Sequence, residues 1–312
     1  MVSIFHAVSK FFLVCGVASL VHPTFGNATP LEKIGIISLH AKWSMPSRHE
    51  GWYKEIGKLE VFKKKFQNKC GKGPWRCSKD KTIVGHIKSD LRLVEFALHE
   101  LGMLVESPHC AWSKIRKYNL PVDKALQQCI QPRIERLKNR GAEKIIILGK
   151  SLGANMAIRA GVIFKGLAGI IAMGPGHRPE RPWVAKKHSA DVEHARINKD
   201  DGKGNIKYDY LDINQGKEMQ VKVTAENYFS FFAPNGKAVM GLNAPKIKNK
   251  TPILWIAGGS DIITTTGDGK SIFKSMPKNP KSKYIEVTDR QGDVGENGSI
   301  KVGGIDLFIN QY

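Results

Sequence analysis

The stretch Ile145-Ile146-Ile147-Leu148-Gly149-Lys150-Ser151-Leu152-Gly153 restricts the fold of this chain more than any other. Ile145 to Leu148 is an aliphatic, mostly β-branched run and reads as a buried strand. The residues that follow the turn, Ala154-Asn155-Met156-Ala157-Ile158-Arg159-Ala160, have helix composition. A strand that enters a helix through so short a turn brings its two backbones close together. Glycines on either side of Ser151 allow that approach. A serine held at a strained strand-to-helix turn projects its hydroxyl, and the helix N-terminus behind it favours negative charge. The spacing G-x-S-x-G in this context therefore points to Ser151 as a nucleophile.

Further apolar runs occur at Ile34–Leu39, Gly102–Glu106, Gly169–Met173, Pro252–Ala257 and Lys283–Val287. Helical spacing separates several of them, at Leu91–Leu101 and at Val122–Arg140, with a possible break near Pro132. Strands alternating with helices predict a mostly parallel sheet with helices on both faces. In such sheets ligands bind at the carboxyl ends of the strands. His40, His109, Ser151, His177 and Asp261 each lie just after a predicted strand, so the fold would gather them at one edge. Residues 57–82 are basic and turn-rich and read as an insertion. Residues 178–245 are polar, without a clear period, and read as a small cap or lid. Within and near it, Trp183, Tyr208, Tyr210, Phe229, Phe231 and Phe232 can line an acyl pocket, although such spacing more often marks core.

The chain has 312 residues and a formal net charge of +21. Residues 1–28 resemble an export signal: Lys10 is the only charge, Phe11 to Val21 form an apolar core, and Gly26-Asn27-Ala28 offers a cleavage site. Residues 29–312 then form one domain, exported to the periplasm or secreted. Cys70, Cys77, Cys110 and Cys129 remain after cleavage and suggest two disulfides, with three possible connectivities. Cys70 and Cys77 flank a turn-rich loop that can close locally, which leaves Cys110 with Cys129. No metal site is expected, because these cysteines show no C-x-x-C spacing. The positive charge favours anionic surfaces, including an anionic envelope component. No nucleic-acid motif, cofactor motif or P-loop is present. Nothing in the sequence speaks to oligomeric state.

Three segments together resemble the α/β-hydrolase superfamily and, more narrowly, exported bacterial α/β hydrolases. They are Pro108-His109-Cys110-Ala111-Trp112-Ser113, Gly149 to Asn155, and Gly174-Pro175-Gly176-His177-Arg178-Pro179-Glu180. The resemblance covers most of residues 31–312 and implies an α/β-hydrolase fold with a small cap insertion. It implies Ser151 as nucleophile, with the backbone N–H of Leu152 as one oxyanion donor. The second donor would be the N–H of Ala41 or Lys42, where the superfamily often carries a His-Gly turn. Asp261 stands where the superfamily places its acid, and Asp268 is the reserve.

The family's histidine, expected after the last strand, is missing: the sequence has no histidine beyond His194. A serine hydroxyl needs a base to take its proton. His177 is the substitute, with His109 behind it; Asp289 or Asp293 would be a poor base. Two readings follow. One is a serine hydrolase that cleaves a small-molecule ester, or less readily an amide, through an acyl-enzyme. The other is a degenerate site that binds an anionic ligand without turnover.

Overall fold

The computed structural model describes residues 29–44, 91–214 and 216–287. Outside them lie residues 1–28, read above as an export signal, residues 57–82, read as an insertion and carrying Cys70 and Cys77, and Asp289, Asp293 and the end of the chain.

Six strands form one sheet: β1 (Ile34–Leu39), β2 (Leu104–Glu106), β3 (Lys144–Lys150), β4 (Gly169–Met173), β7 (Ile253–Gly258) and β8 (Lys283–Val287). Their order is β2-β1-β3-β4-β7-β8, and every neighbouring pair is parallel. These strands match the aliphatic runs of the sequence. Parallel strands are buried on both faces, so alternate residues feed two separate cores. Ile36, Ile146, Leu148, Ile171 and Leu254 pack against Leu91, Val94 and Leu98 of α1 (Leu91–Glu100). Ile37, Ile147, Ile170 and Trp255 face the other way, onto α2 (Val122–Asn139) and α3 (Leu152–Ile163). Leu152 to Gly161 of α3 are all buried, and all of them but Asn155 and Arg159 are apolar or glycine, as expected of a helix enclosed in the core.

The possible break at Pro132 does not occur; α2 runs through it. Proline removes the N–H that would bond the carbonyl four residues back. Here Arg133 Nη1 donates to that carbonyl, Gln128 O, at 3.3 Å. The Cys110–Cys129 disulfide ties the loop after β2 to α2 across 19 residues. Closing a loop of that length stabilises the fold by about 3 kcal/mol on chain-entropy grounds.

Residues 178–245 carry more regular structure than their sequence suggests. They hold α4 (Pro182–Asp200), the antiparallel hairpin β5 (Lys207–Asn214) and β6 (Lys217–Thr224), α5 (Ala225–Phe232) and α6 (Met240–Asn243). Of α4 only His188, Ala195 and Asn198 are buried, so it shows no apolar stripe. Tyr210, Tyr228 and Phe232 stack in a column with ring centroids 4.2 and 4.5 Å apart. Tyr210, Phe231 and Phe232 are core residues, whereas Trp183 is exposed. Two short helices, α7 (Ile262–Thr265) and α8 (Asp268–Lys274), follow β7.

Candidate active site

Ser151 sits between β3 and α3 with φ 53° and ψ −123°, a conformation that costs energy for any residue with a Cβ. The flanking glycines make it possible by removing side chains. A Cβ on Gly149 would collide with the backbone of Gly153, and a Cβ on Gly153 would collide with Leu39 O and His40 O at the end of β1. The start of α3 is thus pressed against the turn that follows β1. The hydroxyl also lies beside the loop after β4, since a Cβ placed on Gly176 would be 3.7 Å from Ser151 Oγ.

Backbone amides on both sides of that contact are left without a backbone acceptor. Leu152 is the first residue of α3, so its N–H has no acceptor within the helix. Among the described residues, no backbone acceptor takes the N–H of Ala41 or Lys42 either. The turn Ala41-Lys42-Trp43 is held by other groups. Trp43 has φ 59°, rare for a bulky residue. Its N–H donates to Trp112 O at 3.1 Å, and Trp112 Nε1 donates to His40 O at 2.8 Å. The His40 ring turns away to Glu95 Oε1 at 2.6 Å and Ser107 Oγ at 2.9 Å.

His177 is buried, and its backbone is clamped by Asn155 of α3, whose Nδ2 donates to His177 O at 2.5 Å and whose Oδ1 accepts from His177 N at 3.4 Å. Its Nε2 lies 2.7 Å from Phe231 O. A carbonyl accepts only, so Nε2 carries the proton and Nδ1 keeps its lone pair. Burial, reinforced by the Lys42 charge, lowers the imidazole to about 4, so the ring is neutral at physiological pH. No hydrogen bond joins the His177 ring to Ser151 or Asp261, and none of the described histidines bonds Ser151 Oγ. Asp261 accepts from Gly258 N at 3.2 Å and starts α7. Asp268 accepts from Arg178 at 3.0 Å and from Thr266. Among the described residues, no hydrogen bond from the His177 ring completes a relay through Ser151 and Asp261.

The sequence reading missed a buried polar cluster beside this site. The Lys42 side chain donates to Asp212 Oδ1 at 2.6 Å and to Ile213 O at 2.9 Å. Asp212, on β5, also accepts from Trp43 Nε1 at 2.9 Å and Tyr118 Oη at 3.1 Å. The sequence singles out Lys42 only for its backbone N–H. Burial lowers its ammonium, with the Asp212 charge opposing that shift. One signal was available: Tyr208, Tyr210 and Asp212 alternate along β5, which puts the acid on the strand face that bears the aromatics. Among the described residues, no group of three or more His, Cys, Asp or Glu could hold a metal ion. A separate groove of about 730 Å³, lined by Lys124, Arg159, Glu226, Lys237 and Lys246 among others, does not include Ser151.

Two measurements check this geometry. Gly153→Ala should destabilise the protein by about 3 kcal/mol, because backbone must move to admit the methyl. Gly241→Ala, where nothing stands within 4 Å, should be neutral or mildly stabilising; equal denaturation midpoints for the two variants would contradict the close approach. The second is pH-dependent. The unfolded imidazole titrates near 6.5 and the folded one near 4. Between these values the unfolded chain binds more protons, so stability rises with pH across the window and is lost as pH falls through it. The full loss is about 3 kcal/mol. His177→Gln should flatten that part of a stability–pH curve, and an unchanged slope would show that His177 is not buried neutral.

No family model matches the sequence, and no curated protein matches it. Solved structures do. A monoacylglycerol lipase from Paleococcus ferrophilus aligns with a TM-score of 0.51 and 18% identity, over 89% of this chain and 95% of that one. A metagenome-derived lipolytic enzyme aligns with a TM-score of 0.52 and 13% identity, over 90% and 94%. Est1E from Butyrivibrio proteoclasticus, with ferulic acid bound, aligns with a TM-score of 0.50 and 13% identity, over 90% of each chain. At these identities the likeness concerns architecture, and with the parallel sheet and the strand–serine–helix turn it gives the conclusion that the chain adopts the α/β-hydrolase fold.

Proposed function

We propose that the protein is a serine hydrolase that cleaves small-molecule esters through an acyl-enzyme on Ser151. The observation that carries this reading is the turn itself: Ser151 is held at φ 53° by two glycines whose missing side chains let α3 meet β1. A fold that only needed to connect a strand to a helix has cheaper ways to do it. The similar solved structures include proteins described as a lipase and as lipolytic, which supports an ester as the substrate class.

On this reading Ser151 Oγ attacks the ester carbonyl carbon while its proton passes to His177 Nδ1. Phe231 O takes the part that an acid plays in other hydrolases of this fold, fixing which ring nitrogen carries the proton. The oxyanion of the tetrahedral intermediate is met by the N–H of Leu152 and by that of Ala41 or Lys42. The C–O bond to the leaving group breaks, and the imidazolium returns its proton to the departing alkoxide. Water then attacks the acyl-enzyme by the same route and frees Ser151. Asp261 has no direct role in this scheme.

A second reading is favoured by one observation: the His177 ring is bonded to Phe231 O and not to Ser151. A site left this way binds its ligand, such as an anionic envelope component, without turning it over. Kinetics with p-nitrophenyl esters of increasing acyl length separate the two. The hydrolase reading expects Ser151→Ala to lower kcat/KM more than about 1,000-fold. It also expects the acid limb of kcat/KM to fall near pH 4, because the free base titrates there. Activity equal in wild type and Ser151→Ala would leave the binding reading.

A further inference from the structure

Asp212 accepts from three donors that come from two separate parts of the chain. Lys42 and Trp43 belong to the turn after β1, and Tyr118 follows the loop after β2. Asp212 itself comes from a hairpin outside the central sheet, 170 residues from Lys42. All four side chains sit in or against the same core, and Asp212 and Tyr118 have no exposed surface. Such a burial is costly unless the carboxylate's oxygens are satisfied. Here one oxygen takes the ammonium and the other takes the indole and phenol.

The turn that Asp212 grips follows directly on His40, whose carbonyl lies against Gly153 two residues from Ser151, and its Ala41 and Lys42 amides have no backbone acceptor. Trp43 holds φ 59°, and an unsupported tryptophan would leave that conformation. Its main-chain bond to Trp112 O fixes one side of the residue, and the bond from Nε1 to Asp212 fixes the other. Lys42 is anchored twice to β5, at Asp212 and at Ile213 O. The Trp43 and Tyr118 rings meet edge to face at 5.5 Å, and Tyr118 meets Phe232 at 5.4 Å, so the aromatic column continues from the hairpin to the turn. With both side chains tied to the hairpin, the peptide N–H groups of Ala41 and Lys42 stay unspent.

We infer that Asp212 is a positioning residue: from the β5–β6 hairpin it holds the turn Ala41-Lys42-Trp43 in the shape that offers its amides to a developing oxyanion. The inference rests on the proposed function for its catalytic consequence, though the grip on the turn stands without it. It makes the hairpin a working part of the oxyanion site as well as a cover. Undocking the hairpin would disassemble the site, so hairpin docking and catalytic competence are one event.

The test uses the full chain with Asp212→Asn and Asp212→Ala, read in two ways. Amide hydrogen exchange should quicken at least about tenfold at Trp43 and Ser44, while Ile146 to Leu148 of β3 keep wild-type protection. In ester hydrolysis kcat should fall about 10- to 100-fold with KM within about twofold, because the lost contact acts only on the transition state. A wild-type exchange rate at Trp43 and Ser44 would overturn the inference. So would quickened exchange with unchanged kcat in an enzyme whose activity depends on Ser151. If the wild type is no more active than Ser151→Ala, the proposed function fails by itself, and exchange alone decides whether Asp212 holds the turn. Should the Asp212 variants not fold, Trp43→Phe removes a single donor and is read by the same two measurements.

Discussion

Everything at this site depends on the contact between the start of α3 and the end of β1. Gly153 has no Cβ because Leu39 O and His40 O occupy that space, and Gly149 has none because Gly153 does. The contact sets the start of α3, just after Ser151, against the chain that leaves β1 and runs on into the turn 41–43. It also explains why the sheet must be parallel here. β1 and β3 run side by side in register from Ile34↔Lys144 to Leu39↔Gly149, so both end at the same edge. The loop after β4 joins them there, pinned by Asn155 to α3.

The site's electrostatics follow from burial. Lys42 and Asp212 form an ion pair with almost no access to water. Breaking such a pair costs far more than forming it gains, because the survivor is left charged in a poor solvent. That asymmetry makes it a good latch between distant segments and a poor source of net stability. The nearby positive charge and the burial together keep His177 neutral. A neutral ring can accept a proton, and the low value means that it does so weakly. The overall charge of +21 has no comparable local role; its lysines are spread over the chain.

Most of the framework was legible in the sequence because it is written in aliphatic runs. The six sheet strands fall within a residue or two of Ile34–Leu39, Gly102–Glu106, Ile145–Leu148, Gly169–Met173, Pro252–Ala257 and Lys283–Val287. The elbow was legible because glycine spacing encodes close approach. The region 178–245 was not, because α4 buries little apolar surface and β5 turns a carboxylate inwards. Asp212 reads as a surface acid until its three donors, far away in sequence, are brought to it. His177 shows the opposite limit. Its place after β4 was visible, but the carbonyl that holds its ring lies in α5, and no spacing rule links residue 177 to residue 231.

On the proposed function, Ser151 and the amides around it form a preorganised acyl-transfer site. A structure of the protein treated with an alkyl fluorophosphonate tests it most directly, since the adduct mimics the tetrahedral intermediate. A covalent bond from Ser151 Oγ to phosphorus is expected. The phosphoryl oxygen should lie about 2.7–3.1 Å from Leu152 N and from Ala41 N or Lys42 N. An unmodified Ser151 under conditions that label an active serine hydrolase would contradict it, as would an adduct whose oxygen points away from those amides.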